Sequence, residues 1–167
     1  GHGNVTGADN VVAWRTGDPF GVNLARGYPR FNPGEYTASD VLARQEADAA
    51  IIIASDPMAN FSEPARQHLK SIPYIAFDPK ETPTTRAAEV AFTVATYGIN
   101  IPGTVYRMDD VPIPLRPAFD CHHPSDMEIL QGIEKRVQEL IALEVPARED
   151  DSSLRPVRHL ADGVIAE

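Results

Sequence analysis

A single cysteine, Cys121, stands in the 167 residues, and that scarcity removes several chemistries at once. One thiol cannot close an internal disulfide, complete a four-cysteine iron–sulfur site or build a structural zinc site. Basic runs are missing as well. Lys and Arg number 15 against 24 Asp and Glu, a formal net charge of −9, so no broad face for nucleic acid or an anionic membrane is expected. The longest apolar run, residues 47–54, is broken by Asp48 and falls far short of a bilayer-spanning helix. No signal peptide can be read, and the cytoplasm is the expected compartment. No Gly-x-Ser-x-Gly elbow and no Ser/His/Asp grouping points to a free-standing hydrolase or transferase. The opening Gly-His-Gly-Asn lacks an initiator methionine, which reads either as an added remnant or as a cut inside a longer protein.

Turn formers are plentiful: 15 prolines and 11 glycines cut the chain into short segments. Residues 11–14 (Val-Val-Ala-Trp) read as a short strand, followed by a Gly/Pro/Asn-rich loop over 17–34, a length that is usually functional or disordered. Ser39 and Asp40 predict a helix cap, with the helix running to about residue 47. Residues 49–54 (Ala-Ala-Ile-Ile-Ile-Ala) form a β-branched run expected to be a strand buried on both faces, as in a parallel sheet. Ser62, as cap, and Pro64, in the first turn, predict a helix to about Lys70. Residues 73–77 and 90–94 are further strands, giving a βαβ unit. Around Asp109–Asp110, residues 105–115 predict a hairpin with arms 106–108 and 111–113, the second held to an edge by Pro112 and Pro114. Ser-Asp-Met-Glu over 125–128 is a capping box for the longest helix, with Leu130, Ile133, Val137, Leu140, Ile141 and Val145 on one face and Pro146 ending it. The expected architecture is α/β: a Rossmann-like, mostly parallel sheet with flanking helices, a small hairpin and a long C-terminal helix. Residues 1–146 are expected to be one domain, and 147–167 a charged tail or a partner-docking arm.

Open parallel sheets bind ligands beyond the carboxyl ends of their strands. Two loops leave such ends, Ser55-Asp56-Pro57 and the stretch from Asp78-Pro79 through Thr82, Thr84 and Thr85. A carboxylate there can accept hydrogen bonds from ribose hydroxyls or from the N–H edge of guanine. The threonine hydroxyls, with N–H groups at a helix start, can hold a diphosphate. The competing reading is that both Asp-Pro pairs are turn formers and caps. Arg26, Tyr28 and Arg30 either meet a phosphate or carboxylate, or clamp their loop to the domain or to another subunit. Cys121-His122-His123 reads as a loop entering a helix rather than a metal site, because adjacent histidines point apart. His68 and His159 are expected to be exposed.

The succession strand, Ala-Ser-Asp-Pro, helix, strand, Asp-Pro-x-x-Thr-x-Thr-Thr, then Gly103-Thr104 and Tyr106-Arg107-Met108, resembles the molybdopterin oxidoreductase superfamily. Three further blocks narrow the resemblance: residues 3–8, Trp14-Arg-Thr-Gly17 with Pro19-Phe20, and the block from Arg26 to Glu35. Together they resemble the B subunit of formylmethanofuran dehydrogenase, molybdenum or tungsten form, from about residue 3 to 145. The resemblance implies a part of that subunit that grips the guanine dinucleotide of a pterin cofactor in C1 metabolism and methanogenesis. Ser55, Asp56, Pro57, Asp78, Pro79, Thr82, Thr84, Thr85, Gly103 and Thr104 are the implied contacts. Catalytic and metal-ligating residues belong to a region N-terminal to anything in this sequence, and Cys121 does not match the metal ligand.

Two functions fit these residues. One is a domain that holds the guanine dinucleotide end of molybdopterin guanine dinucleotide. The other is a cofactor-free structural scaffold of a formyltransferase/hydrolase complex, with no cofactor bound in this chain. Either way its partners are other subunits of a C1 complex, and the chain is not expected to catalyse a dehydrogenation by itself.

Overall fold

The computed structural model of the chain describes residues 4–144, and the tail with His159 lies outside them. Two compact units are distinguished, residues 1–129 and 130–167. The first carries nearly all of the secondary structure.

The sheet at its centre has three parallel strands in the order β3 (Ala50–Ile53), β4 (Tyr74–Asp78), β5 (Val90–Thr93). Ile51 pairs with Ile75 and Ile75 with Val90, so the strands are in register from their first residues. One face packs on α2 (Ala38–Ala43) and α4 (Glu63–Ser71). There Leu42, Ile52, Ala65, Leu69, Tyr74 and Ala76 form the buried core. Leu69 is fully buried, which favours the fold by roughly 1.5–3 kcal/mol relative to exposure. The expected α/β class is therefore present, with the three strands predicted for the parallel sheet in place.

Burial on both faces is half met. Ile51 is 53% and Ile53 40% exposed, against 9% for Ile52 between them. Ile52 turns to the face that packs on α2 and α4, while Ile51 and Ile53, alternating with it on this edge strand, take the other face and stay exposed. His68 also departs from expectation. It is half-buried, and its Nε2 lies 2.8 Å from the carbonyl of Ala47, tying α4 to the segment before β3.

Residues 11–14 are not a strand but the last turns of a helix, α1 (Val5–Thr16). A four-residue apolar run does not distinguish strand from buried or surface helix by periodicity. Gly17 decides the matter by taking φ 87° and returning its N–H to the carbonyl of Ala13, a left-handed helix stop. The long loop after it contains a small antiparallel ribbon, β1 (Val22–Asn23) with β2 (Arg30–Phe31), braced by an edge-to-face contact of Phe20 and Phe31. The next helix starts earlier and stops sooner than expected. Thr37, not Ser39 or Asp40, is its cap, and its end at Ala43 is followed by Gln45 at φ 60°.

The expected hairpin is present as β6 (Gly103–Tyr106) with β7 (Pro112–Leu115); its arms share Tyr106, Pro112 and Ile113 with the expected ones but are shifted away from the turn, so Gly103 and Thr104 sit in a strand. The Tyr106 N–H faces away from β7 and donates to the Asn4 side chain at 2.8 Å. Pro112 and Pro114 lie opposite Tyr106 and Thr104, so their missing N–H groups fall on the outer edge and cost no ladder bond. The long helix α6 (Asp126–Glu144) begins with the predicted capping box: Ser125 N–H donates to Glu128 and Glu128 N–H to Ser125 Oγ. Within residues 130–144, Val137, Leu140 and Ile141 are exposed.

Candidate functional site

The two Asp-Pro loops lie side by side at the carboxyl ends of β3 and β4, as parallel pairing requires. The first holds a short helix, α3 (Pro57–Asn60), and the second another, α5 (Pro83–Ala87). Within this pair of loops most of the candidate groups are already engaged with each other. Asp56 Oδ1 accepts from the Thr84 N–H at 3.2 Å and from the Thr84 hydroxyl. The same hydroxyl accepts the Met58 N–H at 3.1 Å, and Tyr74 donates its phenol to the Thr84 carbonyl at 2.8 Å. Burial, and secondarily the charge of Asp56, holds the Tyr74 phenol above its ordinary pKa. Thr82 and Thr85 form a reciprocal cap: each backbone N–H donates to the other's hydroxyl, at 2.8 and 3.1 Å. Asp78 is buried and accepts the Lys80 N–H at 3.0 Å. Asp56, Thr82, Thr84 and Thr85 thus serve as internal ties.

The space at this end of the sheet lies to one side of those ties. A cavity of about 310 Å³ is lined by Ala54, Pro79, Val94, Ala95, Thr96, Tyr97, Gly103, Thr104, Val105, Leu115 and Asp126, with Asn4 at its border. Of the candidates from the sequence, Pro79, Gly103 and Thr104 line it, whereas Ser55 and Pro57 belong to a separate hollow on the β3 edge. Asp78 and Thr85 border another hollow of about 230 Å³ with Lys80, Glu81 and Arg86, the last two paired at 3.0 Å. Arg26 and Tyr28 are exposed. Arg30 places its guanidinium 4.9 Å from the Tyr36 ring centroid, which clamps its own loop.

Three features shape the cavity. Ala54 ends β3 at φ 50°, a left-handed conformation that a Cβ-bearing residue adopts at a cost of about 1–2 kcal/mol. Gly103 lies so close to Tyr97 that a Cβ would meet the ring at 2.9 Å. The Ala95 N–H donates to the Pro124 carbonyl at 2.8 Å, bringing the start of α6 to the cavity wall. That contact delivers Asp126, a residue not among the candidates from the sequence. Its Oδ1 is buried and without a hydrogen-bond partner among the described residues. Burial, then the charge of Asp78, holds its carboxyl above the usual range. The sequence signal was slight, since Asp126 looks like any acidic residue in a helix's first turn.

A larger hollow of about 500 Å³ opens at the opposite end of the strands, around Ile51, Ile75 and Val90. It gathers almost no polar groups, whereas binding sites combine apolar walls with a few convergent ones.

No protein-family model matches the chain. Two relatives do: the B subunit of tungsten-containing formylmethanofuran dehydrogenase 2 from Methanocaldococcus jannaschii, 49% identical over 143 residues, and its namesake from Methanococcus maripaludis, 44% identical over 142. Each match takes in 84% of this chain, which spans about 33% of the length of either relative. A chain of the formyltransferase/hydrolase complex of Methylorubrum extorquens, solved with methylofuran, superposes with a TM-score of 0.65 at 22% identity. That superposition covers 83% of this chain and 38% of the other, and it shows a shared fold. Over the third of those relatives that it spans, the chain belongs to the family of formylmethanofuran dehydrogenase B subunits.

Proposed function

We propose that this chain is the part of a formylmethanofuran dehydrogenase-type B subunit that holds the nucleotide end of a tungsten or molybdenum pterin cofactor. The observation that carries this reading is the cavity beyond the carboxyl ends of three parallel strands, closed on one side by the Gly103–Val105 arm. Its size suits a nucleoside rather than a whole dinucleotide. Apolar walls with a stranded carboxylate acceptor fit a flat heterocycle bearing N–H donors. Its lining has no Lys or Arg, so a diphosphate would rest on neutral donors such as Thr104, with Lys80 and Arg86 the cations in the neighbouring loop. A ribose would be met by Asp78, the loop carboxylate that borders the neighbouring hollow. When bound, such a cofactor supplies redox chemistry at its metal, and the residues of this chain bind and orient its far end.

Partners follow from the same reading. The chain would work inside a multi-subunit C1 complex, with the remaining contacts to the cofactor made by other polypeptide. The many exposed large apolar residues, Trp14 at 75% and Phe119 at 71% among them, support burial against such neighbours. No helix among the described residues is long and apolar enough to cross a membrane.

A second reading, a cofactor-free scaffold, draws support from the mutual engagement of Asp56 with Thr84 and of Thr82 with Thr85. Calorimetric titration with GDP separates the two. Native chain should bind GDP weakly, and Gly103→Val, which drives a side chain into Tyr97, should abolish binding. Absence of binding by the native chain gives the scaffold reading the field.

A further inference from the structure

We propose that the free edge of β3 is the docking site for a fourth strand, supplied by polypeptide of the same B subunit outside the third that this chain spans. The proposal is independent of the nucleotide reading, which concerns the carboxyl ends of the strands.

Among the described residues β3 has a neighbour on one side only, β4. The Ala50 N–H donates to the Pro73 carbonyl at 3.2 Å and the Ala54 N–H to the Phe77 carbonyl at 2.9 Å. A parallel ladder turns alternate residues to opposite sides, so Ile51 and Ile53 aim their N–H and C=O groups outward. Natural sheet edges are blunted by Lys, Pro, a bulge or a covering element. Residues 49–54, Ala-Ala-Ile-Ile-Ile-Ala, contain no Lys and no Pro. Their pairing with β4 runs unbroken from Ala50 to Ile53, so no bulge twists the edge away. Ile51 and Ile53 are both exposed, so nothing among the described residues covers it.

Two apolar hollows border this strand. One, of about 270 Å³, lies between β3 and α2, with Val41 and Phe61 in its wall. The other is the 500 Å³ hollow around Ile51, Ile75 and Val90. The register sets those three side by side, on the face away from Ile52 and the helices packed on it. A strand laid along β3 sends alternate side chains to opposite faces. Apolar residues of one parity then fill the α2 side and those of the other parity cover Ile51. A helix could cover one face but would leave the outward N–H groups unpaired.

The occupant follows from what remains available. The other strands outside this sheet are already paired, β1 with β2 and β6 with β7. Second copies of a chain with net charge −9 repel one another. The relatives that share 44–49% identity with this chain carry about two-thirds of their length outside the match. A segment of the same polypeptide reaches the edge at a high effective concentration, and so covers it before it can pair with another molecule.

Photo-crosslinking in the assembled formylmethanofuran dehydrogenase 2 of Methanocaldococcus jannaschii tests the occupant. Benzoylphenylalanine is placed, in separate variants, at the positions aligned with Ile51 and with Ile53, and only complex that assembles is irradiated. The expected product is a cross-link within one B polypeptide, to a segment outside the aligned 143 residues. A cross-link to another subunit, to a second B subunit or to the aligned region overturns the proposal, as does none from either position. Hydrogen exchange tests the strand. In the 167-residue chain the Ile51 and Ile53 amides should exchange faster than those of Ile52 and Ala54. In the complex the two outward amides should slow by about tenfold or more relative to the chain. Outward amides that exchange equally fast in both would mean a cover other than a strand, and would overturn the assignment.

Discussion

Asp56 and Thr84, 28 residues apart, are joined twice, the carboxylate accepting both the backbone N–H and the hydroxyl of the threonine. Thr84 is fully buried and also receives Met58 and Tyr74. One side chain therefore locks the loops after β3 and β4 to each other. Thr84→Val keeps the shape and removes the hydroxyl, leaving Asp56 and the Met58 N–H short of a partner. We expect a loss of about 1–3 kcal/mol in urea unfolding, the usual cost of stranding buried polar groups. A change below about 0.5 kcal/mol, the scale of an ordinary surface substitution, would show that the network does not hold the loops.

The raised carboxyl of Asp126 gives a pH dependence. Burial and Asp78 disfavour its charged form, and Tyr97 and Glu128 are the other titrating groups near it. The folded chain then holds this proton more tightly than the unfolded chain. Its contribution is fully present below the ordinary Asp pKa and is lost as pH rises through the raised value. Asp126→Asn is uncharged throughout, so it should melt higher than the native chain at about pH 7 and no higher at about pH 3. Equal melting temperatures at both would mean that the carboxyl is comfortably solvated.

Tyr97 and Gly103 occupy each other's space so closely that even a methyl is too much. Gly103→Ala should cost about 1–3 kcal/mol through displacement of the ring or the β6 arm. Adding Tyr97→Ala should restore much of that loss, a coupling readable in a double-mutant cycle. Strict additivity of the two changes would contradict the contact.

Leu69 carries the packing of α4 on the sheet, with no exposed surface. Leu69→Ala should destabilise by about 2–5 kcal/mol in the same unfolding assay. A smaller cost would indicate that the core collapses readily around the gap.

Formylmethanofuran oxidation coupled to a viologen dye should be undetectable with the purified 167-residue chain. Its one thiol can neither hold a cluster nor supply a full metal site. Turnover above the no-protein control would refute the assignment of redox chemistry to residues outside this chain.

Local chemistry in the sequence determined much of this molecule. The run Ala-Ile-Ile-Ile can hardly be anything but a strand, and the Asp-Pro and Thr-rich pieces after β3 and β4 mark strand ends because turn chemistry is local. The Ser125–Glu128 capping box was legible for the same reason, as a pattern satisfied within four residues. Over 11–14, where a four-residue apolar run has no period of its own, the sequence reading of a strand was wrong: the run is helical and the Gly17 stop ends it. Partnership across the chain lay beyond its reach. Nothing in the string says that Thr84 would spend its hydroxyl on Asp56, turning two candidate ligands into one internal brace. Nor does it say that Asp126 would arrive at the strand ends with a buried oxygen that has no hydrogen-bond partner among the described residues. Hydrogen bonds between residues 28 apart, and a carboxylate placed by the Ala95–Pro124 contact, exist only once the sheet has formed and its loops are held at fixed distances. The sequence could name the acids, but only the tertiary structure could decide which of them was left without a partner.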